Sequence, residues 1–391
     1  MKVTLFYGYS QYNAGDMAIT LGALDLLNEC EFDITVISRF NEESKYFLMS
    51  RDYLQERYPN INIIPCPFIL DRDGGVVEQL VNYTKSFLTL INIRNRDFFI
   101  NHISNSDVVF FNGGNLLRCG SLNDYLRLTA LFKPLSESKK IGKPYYILPQ
   151  STAHINKFGN AIIKNTLEGA KLSFIREKFS YEKLSKTFPL ASLRSSYDCA
   201  LFIDRKIEVG ERKKVVAITV RGLTVGDLRT LSDIELSIIK NRIKEIAKKA
   251  LYEKYEVEFV VQTDKDLKFT HEIKNELEAE TNTEYSLLHS NDPIELIDYY
   301  STISMLVGMR LHSIILAVSQ GTPCYGYFDR TWGLKNPGFM DLFNLGCEFV
   351  SEDNIPLSID EYLKKNEGFF NSAKDIILKE KAFLKSEFLS N

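Results

Sequence analysis

The sequence predicts an α/β protein built from two Rossmann-like domains and a C-terminal helical tail. Three observations lead there. Near-continuous apolar runs such as KVTLFYGY (Lys2–Tyr9) and VVAITV (Val215–Val220) alternate with helix-length segments, the pattern of parallel strands covered on both faces. That alternation occurs twice, on either side of the polar run DRKIEVGERKK (Asp204–Lys214), which has no apolar periodicity. The length, 391 residues, is too great for one ordinary domain and suits two of roughly 150 to 200 residues. The reading is a first domain over 1–204, a linker over 205–214, a second domain over 215–360 and a tail over 361–391.

The elements follow in order. Lys2–Tyr9 is a strand, Ser10–Asp16 (SQYNAGD) a polar turn, and Met17–Cys30 a helix carrying Ile19, Leu21, Leu24, Leu26 and Leu27. Phe32–Ser38 is a second strand. Further strands are expected at Ile61–Pro65, Asp107–Asn112, Pro144–Leu148, Leu172–Ile175 and Leu201–Ile203, and amphipathic helices within Gly74–Ile103. In the second half, strands are expected at Val215–Val220, Val257–Gln262, Met305–Gly308 and Pro323–Phe328. Helices are expected at Ser232–Tyr255, Lys268–Glu280, Pro293–Tyr300 and Leu311–Gln320, and from Ile359 onward.

Composition narrows the function. Apolar residues are 45%, charged residues 25% and net charge is −3, which argues against a nucleic-acid partner. The six cysteines, at 30, 66, 119, 199, 324 and 347, form no C-x-x-C pair; they read as reduced buried thiols, and no metal site is expected. Met1 runs directly into a strand and no stretch of about 18 apolar residues occurs, so a cytoplasmic protein is expected, at the inner face of a membrane if its partner lies there.

Ligands of open α/β sheets bind beyond the carboxyl ends of strands, which in a two-domain version places the site in the interdomain cleft. Five post-strand loops are therefore candidates. In Gly8–Asp16, Asn13, Gly15 and Asp16 sit where a loop meets a helix; Asp16 is either an N-cap or an acid/base group on a ligand surface. In NGGNLLRCGS, Gly113 and Gly114 allow a sharp turn or a close approach, flanked by Asn112, Asn115 and Arg118. In LPQSTAH, Gln150 and Ser151 are short polar groups at a strand end, equally suited to a turn or to a sugar hydroxyl. Arg221, in VRGL, leaves a buried strand and needs an anionic partner, internal or bound. In GMRLHSIILAVSQG, Arg310 and His312 open an apolar helix, an arrangement that suits an anion. Lys335 could reach the same place.

These pieces resemble the polysaccharide pyruvyl transferase family. YGYSQYNAGDMAI is similar to its G-x-x-N-x-GD opening, FFNGGNLL to its Gly-rich loop, ILPQS to its G-Q-G-type segment, FIREKFS to its R-[DE]-x-x-S stretch and SYDCALF to its following Asp segment. VGMRLHSIILAVSQGTPCYGYFD is similar to its G-x-R-L-H-x-x-I-x-A-x-x-x-G-x-P signature. The likeness runs from about residue 3 to 345 in the family's order. Two departures stand out: NGG in place of GGG, and a longer segment, RTWGLKNPGF, after Asp329.

The resemblance implies a fold like the GT-B glycosyltransferases, with the acceptor on the first domain and the donor on the second. It implies transfer of the enolpyruvyl unit of phosphoenolpyruvate to a sugar of a cell-surface polysaccharide or its lipid-linked precursor. Products are a pyruvate ketal and phosphate, and no cofactor is needed. Carried onto this chain, it implies donor binding by Arg310, Arg221, Leu311 and Lys335, with His312 as general acid and Asp16 as base; an imidazole's ordinary pKa of about 6.5 suits the acid's task. Asn13, Gly15, Gly113, Gly114, Asn115, Gln150 and Ser151 fall to the acceptor or loop side. Two other classes share the fold: a glycosyltransferase using a nucleotide sugar, which needs an acidic ribose partner near Glu348, Glu352 or Asp353, and a non-catalytic sugar-binding homologue.

Overall fold

A computed structural model describes residues 1–67, 81, 84, 93–205, 211–221, 224–225, 229–333, 335–350 and 357–390. The chain divides into two compact units, one of Met1–Gln11, Asp16–Ile203 and Ala382–Asn391, the other of Tyr12–Gly15 and Asp204–Lys381.

The first unit contains β1 (Lys2–Gly8), α1 (Ala14–Asn28, whose opening residues group with the second unit), β2 (Asp33–Ser38), α2 (Lys45–Arg57), β3 (Asn62–Ile64) and α3 (Ile93–Ser104). Then come β4 (Val108–Phe111), β5 (Gly114–Cys119), α4 (Leu122–Lys140), β6 (Tyr145–Ile155), α5 (Lys157–Gly169), β7 (Leu172–Ile175), α6 (Lys178–Thr187) and β8 (Leu193–Ser195). The strands run parallel in the order β3-β2-β1-β4-β6-β7-β8, with β5 attached to β6. The central strands are covered on both faces and are largely apolar; all four residues of β4 are buried. Phe110, Tyr146 and Phe174 stack across three adjacent strands at 5.4 and 6.5 Å. Phe388 meets all three edge-on at 4.8, 5.2 and 6.0 Å, which ties the C-terminal residues to this sheet.

The second unit contains β9 (Lys213–Thr219), the short β10 (Thr224–Val225) and β11 (Arg229–Thr230), α7 (Asp233–Tyr252), β12 (Glu256–Val261), α8 (Asp264–Thr281), β13 (Ser286–His289) and α9 (Pro293–Thr302). It continues with β14 (Ile303–Gly308), α10 (Leu311–Ser319), β15 (Cys324–Phe328), α11 (Lys335–Leu342), β16 (Cys347–Phe349), α12 (Ile359–Lys365) and α13 (Phe369–Leu389), the last crossing into the residues of the first unit. Its main sheet is parallel in the order β13-β12-β9-β14-β15-β16. Local signals set the helix starts: Ser232 caps α7 in a capping box with Glu235, and Asp292 with Pro293 opens α9.

In both sheets the chain winds outward on one side of the first strand and then returns on the other. The order therefore reverses between β1 and β4, and between β9 and β14. Splayed connections leave a crevice at the carboxyl ends of such pairs.

Several elements differ from the sequence reading. Cys199–Phe202 is a 3₁₀ turn rather than a strand at Leu201–Ile203, because the Asp198 carboxylate accepts from the Ala200 N–H and turns the chain. β6 runs on to Ile155, so Gln150 and Ser151 lie within a strand, paired with β5 and β7, and not in a loop. The short strands β5, β8, β13 and β16 carry too few apolar residues to signal themselves. Helix α1 begins at Ala14, three residues before the expected start. The Gly15 N–H donates to Asn13 Oδ1 at 3.0 Å, so Asn13 occupies the capping position and Asp16 lies in the first turn. Most of the helical segment expected over Gly74–Ile103, and 206–210 of the expected linker, lie outside the described residues.

Candidate active site

The second unit's crevice collects the most chemistry. β9 ends at Thr219 and leads to Arg221; β14 ends at Gly308 and leads to Arg310, Leu311 and His312. The two strands pair Gly308 with Thr219, so topology brings together residues about ninety positions apart in sequence. Gly308 has no room for a side chain, since a Cβ there would meet Ile314 Cγ1 at 2.6 Å. Arg310 occupies the N-cap position of α10 without capping it, which leaves its guanidinium for other partners.

Arg310 makes a two-toothed ion pair with Asp266, Nε donating to Oδ2 and Nη2 to Oδ1, both at 2.6 Å. Asp266, in the first turn of α8, is 1% exposed. Beside it, Ser313 Oγ donates to Gln262 Oε1 at 2.6 Å, tying α10 to the end of β12. Arg221 lies over the Trp332 ring, 4.3 Å from its centroid. The Arg221 Nε, the Trp332 indole N–H and the Thr219 hydroxyl are buried without a hydrogen-bond partner among the described residues. Burial first, and the charge of Arg310 second, bring the Arg221 pKa down to about 10, against the opposing pull of Asp266 and Asp329. Two guanidiniums close enough to repel, beside unmatched donors, make a site that favours an anion.

His312 is half-buried in the first turn of α10. Gly15, which groups with this unit, packs against it so closely that a Cβ on Gly15 would overlap the imidazole, Nδ1 foremost. Leu311 is buried, and Lys335 is half-buried at the start of α11.

The first unit's crevice is a packed turn. Asn112, fully buried, donates through Nδ2 to the Tyr7 carbonyl (2.9 Å) and to Thr20 Oγ1 (3.1 Å), while its Oδ1 accepts the Gly113 N–H (2.9 Å). The Tyr9 hydroxyl donates to the Gly113 carbonyl at 3.0 Å. Gly113 would press a Cβ against the Pro149 carbonyl (2.9 Å) and Gly114, at φ +137°, against the Tyr9 hydroxyl (2.7 Å). The glycine pair is thus required by the protein's own atoms. Asn115 is half-buried, and its Oδ1 has no partner among the described residues. Asp16 is half-buried and contributes to the raised pKa of the Tyr9 phenol, for which burial is the larger cause.

The side chains of Gln150 and Ser151 are engaged within the first unit. Gln150 accepts from the Leu116 N–H (3.1 Å) and donates to the Asn112 carbonyl (2.6 Å). Ser151 Oγ accepts from Arg176 Nε at 2.7 Å, and Arg176 forms a buried ion pair with Asp198. Glu177 caps α6 and bonds Ser180. The R-E-x-x-S and Asp segments are therefore a brace of the first unit. Glu348 is likewise occupied, both oxygens on Arg242 at 2.7 and 2.8 Å, while Glu352 and Asp353 lie outside the described residues. Sequence reasoning does not single out Asp266, Thr219 or Trp332. All three sit at or just beyond strand ends, so the carboxyl-end rule is the signal that points to them.

The sequence profile of the family described as Polysaccharide pyruvyl transferase matches residues 13–327. No curated protein sequence matches the chain. Among solved structures, a UDP-GlcNAc 2-epimerase from Neisseria meningitidis bound to UDP-GlcNAc is similar at a TM-score of 0.61 and 15% identity, over 100% of both chains. A putative UDP-N-acetylglucosamine 2-epimerase from Listeria monocytogenes gives 0.58 and 14%, over 99% of this chain and 94% of that one. A glycosyltransferase from Rickettsia africae ESF-5 gives 0.56 and 10%, over 100% and 96%. At such identities the likeness is one of fold, and the fold is of the GT-B type.

Proposed function

This chain belongs to the polysaccharide pyruvyl transferase family, and on that premise we propose that it transfers the enolpyruvyl unit of phosphoenolpyruvate to a sugar, closing a pyruvate ketal and releasing phosphate. The observation that carries this reading is the pairing of Arg221 and Arg310 beyond β9 and β14, beside the buried donors of Thr219 and Trp332. Phosphoenolpyruvate bears a phosphate and a carboxylate, and two cationic groups suit two anionic ends. Lys335 is a third candidate cation.

His312, one residue beyond Leu311 and two beyond Arg310, is the proposed general acid. It protonates C3 of the donor, and C2 becomes oxocarbenium-like. A sugar hydroxyl adds to C2, giving its proton to Asp16, the proposed base. The C2–O bond to phosphate breaks, phosphate leaves with the bonding electrons, and a second hydroxyl of the sugar closes the ketal as it loses its proton. The chemistry calls for no cofactor. The acceptor is proposed to be a unit of a cell-surface polysaccharide, free or lipid-linked, handled at the inner face of the membrane. Among the described residues no helix is long and apolar enough to cross one.

The nucleotide-sugar reading draws on the names of the fold relatives. Against it, the Glu348 carboxylate is held by Arg242. The deciding experiment incubates the protein with phosphoenolpyruvate, or with UDP-sugars, and a panel of galactosides, following phosphate release and ketal formation with the first donor and UDP release with the second. Turnover with a UDP-sugar and none with phosphoenolpyruvate would reverse the assignment.

A further inference from the structure

Asp266 is a carboxylate in a place where a carboxylate is costly. It is 1% exposed, and it lies next to the residue proposed to hold an anionic donor. Its charge opposes the binding of any anion there. A buried carboxylate also carries a desolvation penalty that only good geometry offsets. The geometry is good: two hydrogen bonds of 2.6 Å to one planar guanidinium. The backbone that carries the carboxylate is itself fixed. The Asp266 N–H donates to the Thr263 carbonyl at 3.0 Å, and its carbonyl accepts from Thr270 Oγ1 at 2.8 Å. The Gln262–Ser313 bond joins the same two segments a second time.

We infer that Asp266 is a positioning residue for the anion site: by holding Nε and Nη2 of Arg310, it sets the direction in which the remaining N–H groups of that guanidinium meet the donor. A guanidinium is planar, so holding one edge fixes the plane and leaves Nη1 with a set direction. Without the fork, Arg310 keeps its charge and loses its aim. This rests on the donor reading above, and it adds a residue outside the segments that carry the family resemblance.

The test uses Asp266→Asn and Asp266→Glu in the full-length protein, with calorimetric titration by phosphoenolpyruvate and separately by inorganic phosphate. Asn keeps the shape but offers one acceptor in place of two, so Kd for phosphoenolpyruvate is expected to rise roughly tenfold to a hundredfold, the worth of one charge-assisted bond. Asp266→Glu keeps the charge and should recover part of the loss. In turnover, KM for the donor rises while KM for the sugar stays. A pair that merely braces α8 against α10 would lower Tm and the active fraction with both KM values unchanged, and that overturns the inference. So does an Asp266→Asn protein that binds either probe as tightly as wild type, or more tightly, as loss of a repelling charge alone would give. Should Asp266→Asn not fold, Asp266→Glu decides: donor affinity equal to wild type despite a lengthened arm overturns positioning, and a weakened affinity supports it. Wild type binding phosphate but not phosphoenolpyruvate sinks the donor assignment, and the Asp266 comparison is then read on phosphate.

Discussion

The guanidinium of Arg221 rests 4.3 Å from the centre of the Trp332 ring. Trp332 is the chain's single tryptophan, so its emission reports on this contact without background. Cation–π contacts are worth about 0.5–2 kcal/mol. Trp332→Ala is therefore expected to weaken donor binding roughly 2- to 30-fold, and Trp332→Phe less. In wild type, phosphoenolpyruvate should change the tryptophan emission saturably, and Arg221→Ala should abolish that response. An emission indifferent to saturating donor would separate Trp332 from the site.

Arg221 trades stability for binding. Its folded pKa, about 10, lies below the ordinary arginine value, so the folded chain disfavours the charged form at every pH below about 10. Replacing it with Met removes that cost. The empty Arg221→Met protein is expected to melt above wild type while losing its response to donor. Calorimetric melts with and without phosphoenolpyruvate check both halves, and a lower Tm for the empty variant counts against the buried-charge account.

The brace of the first unit should behave in the opposite way. Arg176 is 5% and Asp198 1% exposed. Asp198→Ala strands a buried arginine and is expected to cost about 3–5 kcal/mol. Replacing both with apolar residues of similar size should return much of it. Denaturant unfolding of the single and double variants measures this.

Asn13 and Asp16 divide the labour at the start of α1. Asn13→Ala removes the side chain that accepts the Gly15 N–H and should cost about 1 kcal/mol in stability. Asp16→Asn should leave Tm unchanged and lower turnover by about a hundredfold, the scale of a lost acid/base group. Full activity in Asp16→Asn would strike it from the mechanism.

Gly15 gives His312 its room. Gly15→Ala would drive a methyl into the imidazole and is expected to lower turnover with donor affinity little changed. His312→Gln should do the same, by about a hundredfold or more. Titration and turnover on the same preparations make the comparison, and donor affinity lost along with rate would make His312 a binding residue instead.

The α/β class, the two Rossmann-like halves and the Arg310–His312 segment are legible in the order of amino acids alone. Each rests on local order. Buried parallel strands are apolar along their length, as in Val108–Phe111, and a helix start is written in a few adjacent residues. The roles of Gln150, Ser151, Arg176 and Asp198 are not legible that way. A polar residue at a strand end looks the same whether it faces a ligand or a neighbouring strand, and here the neighbours are 22 to 38 positions away. Asp266 and Trp332 are hidden for the same reason. Their partners, Arg310 and Arg221, lie 44 and 111 positions off in sequence, brought near by the strand order β12-β9-β14-β15. Periodicity records which face of an element is buried. Which distant side chain meets it there is settled by how the sheet is wound.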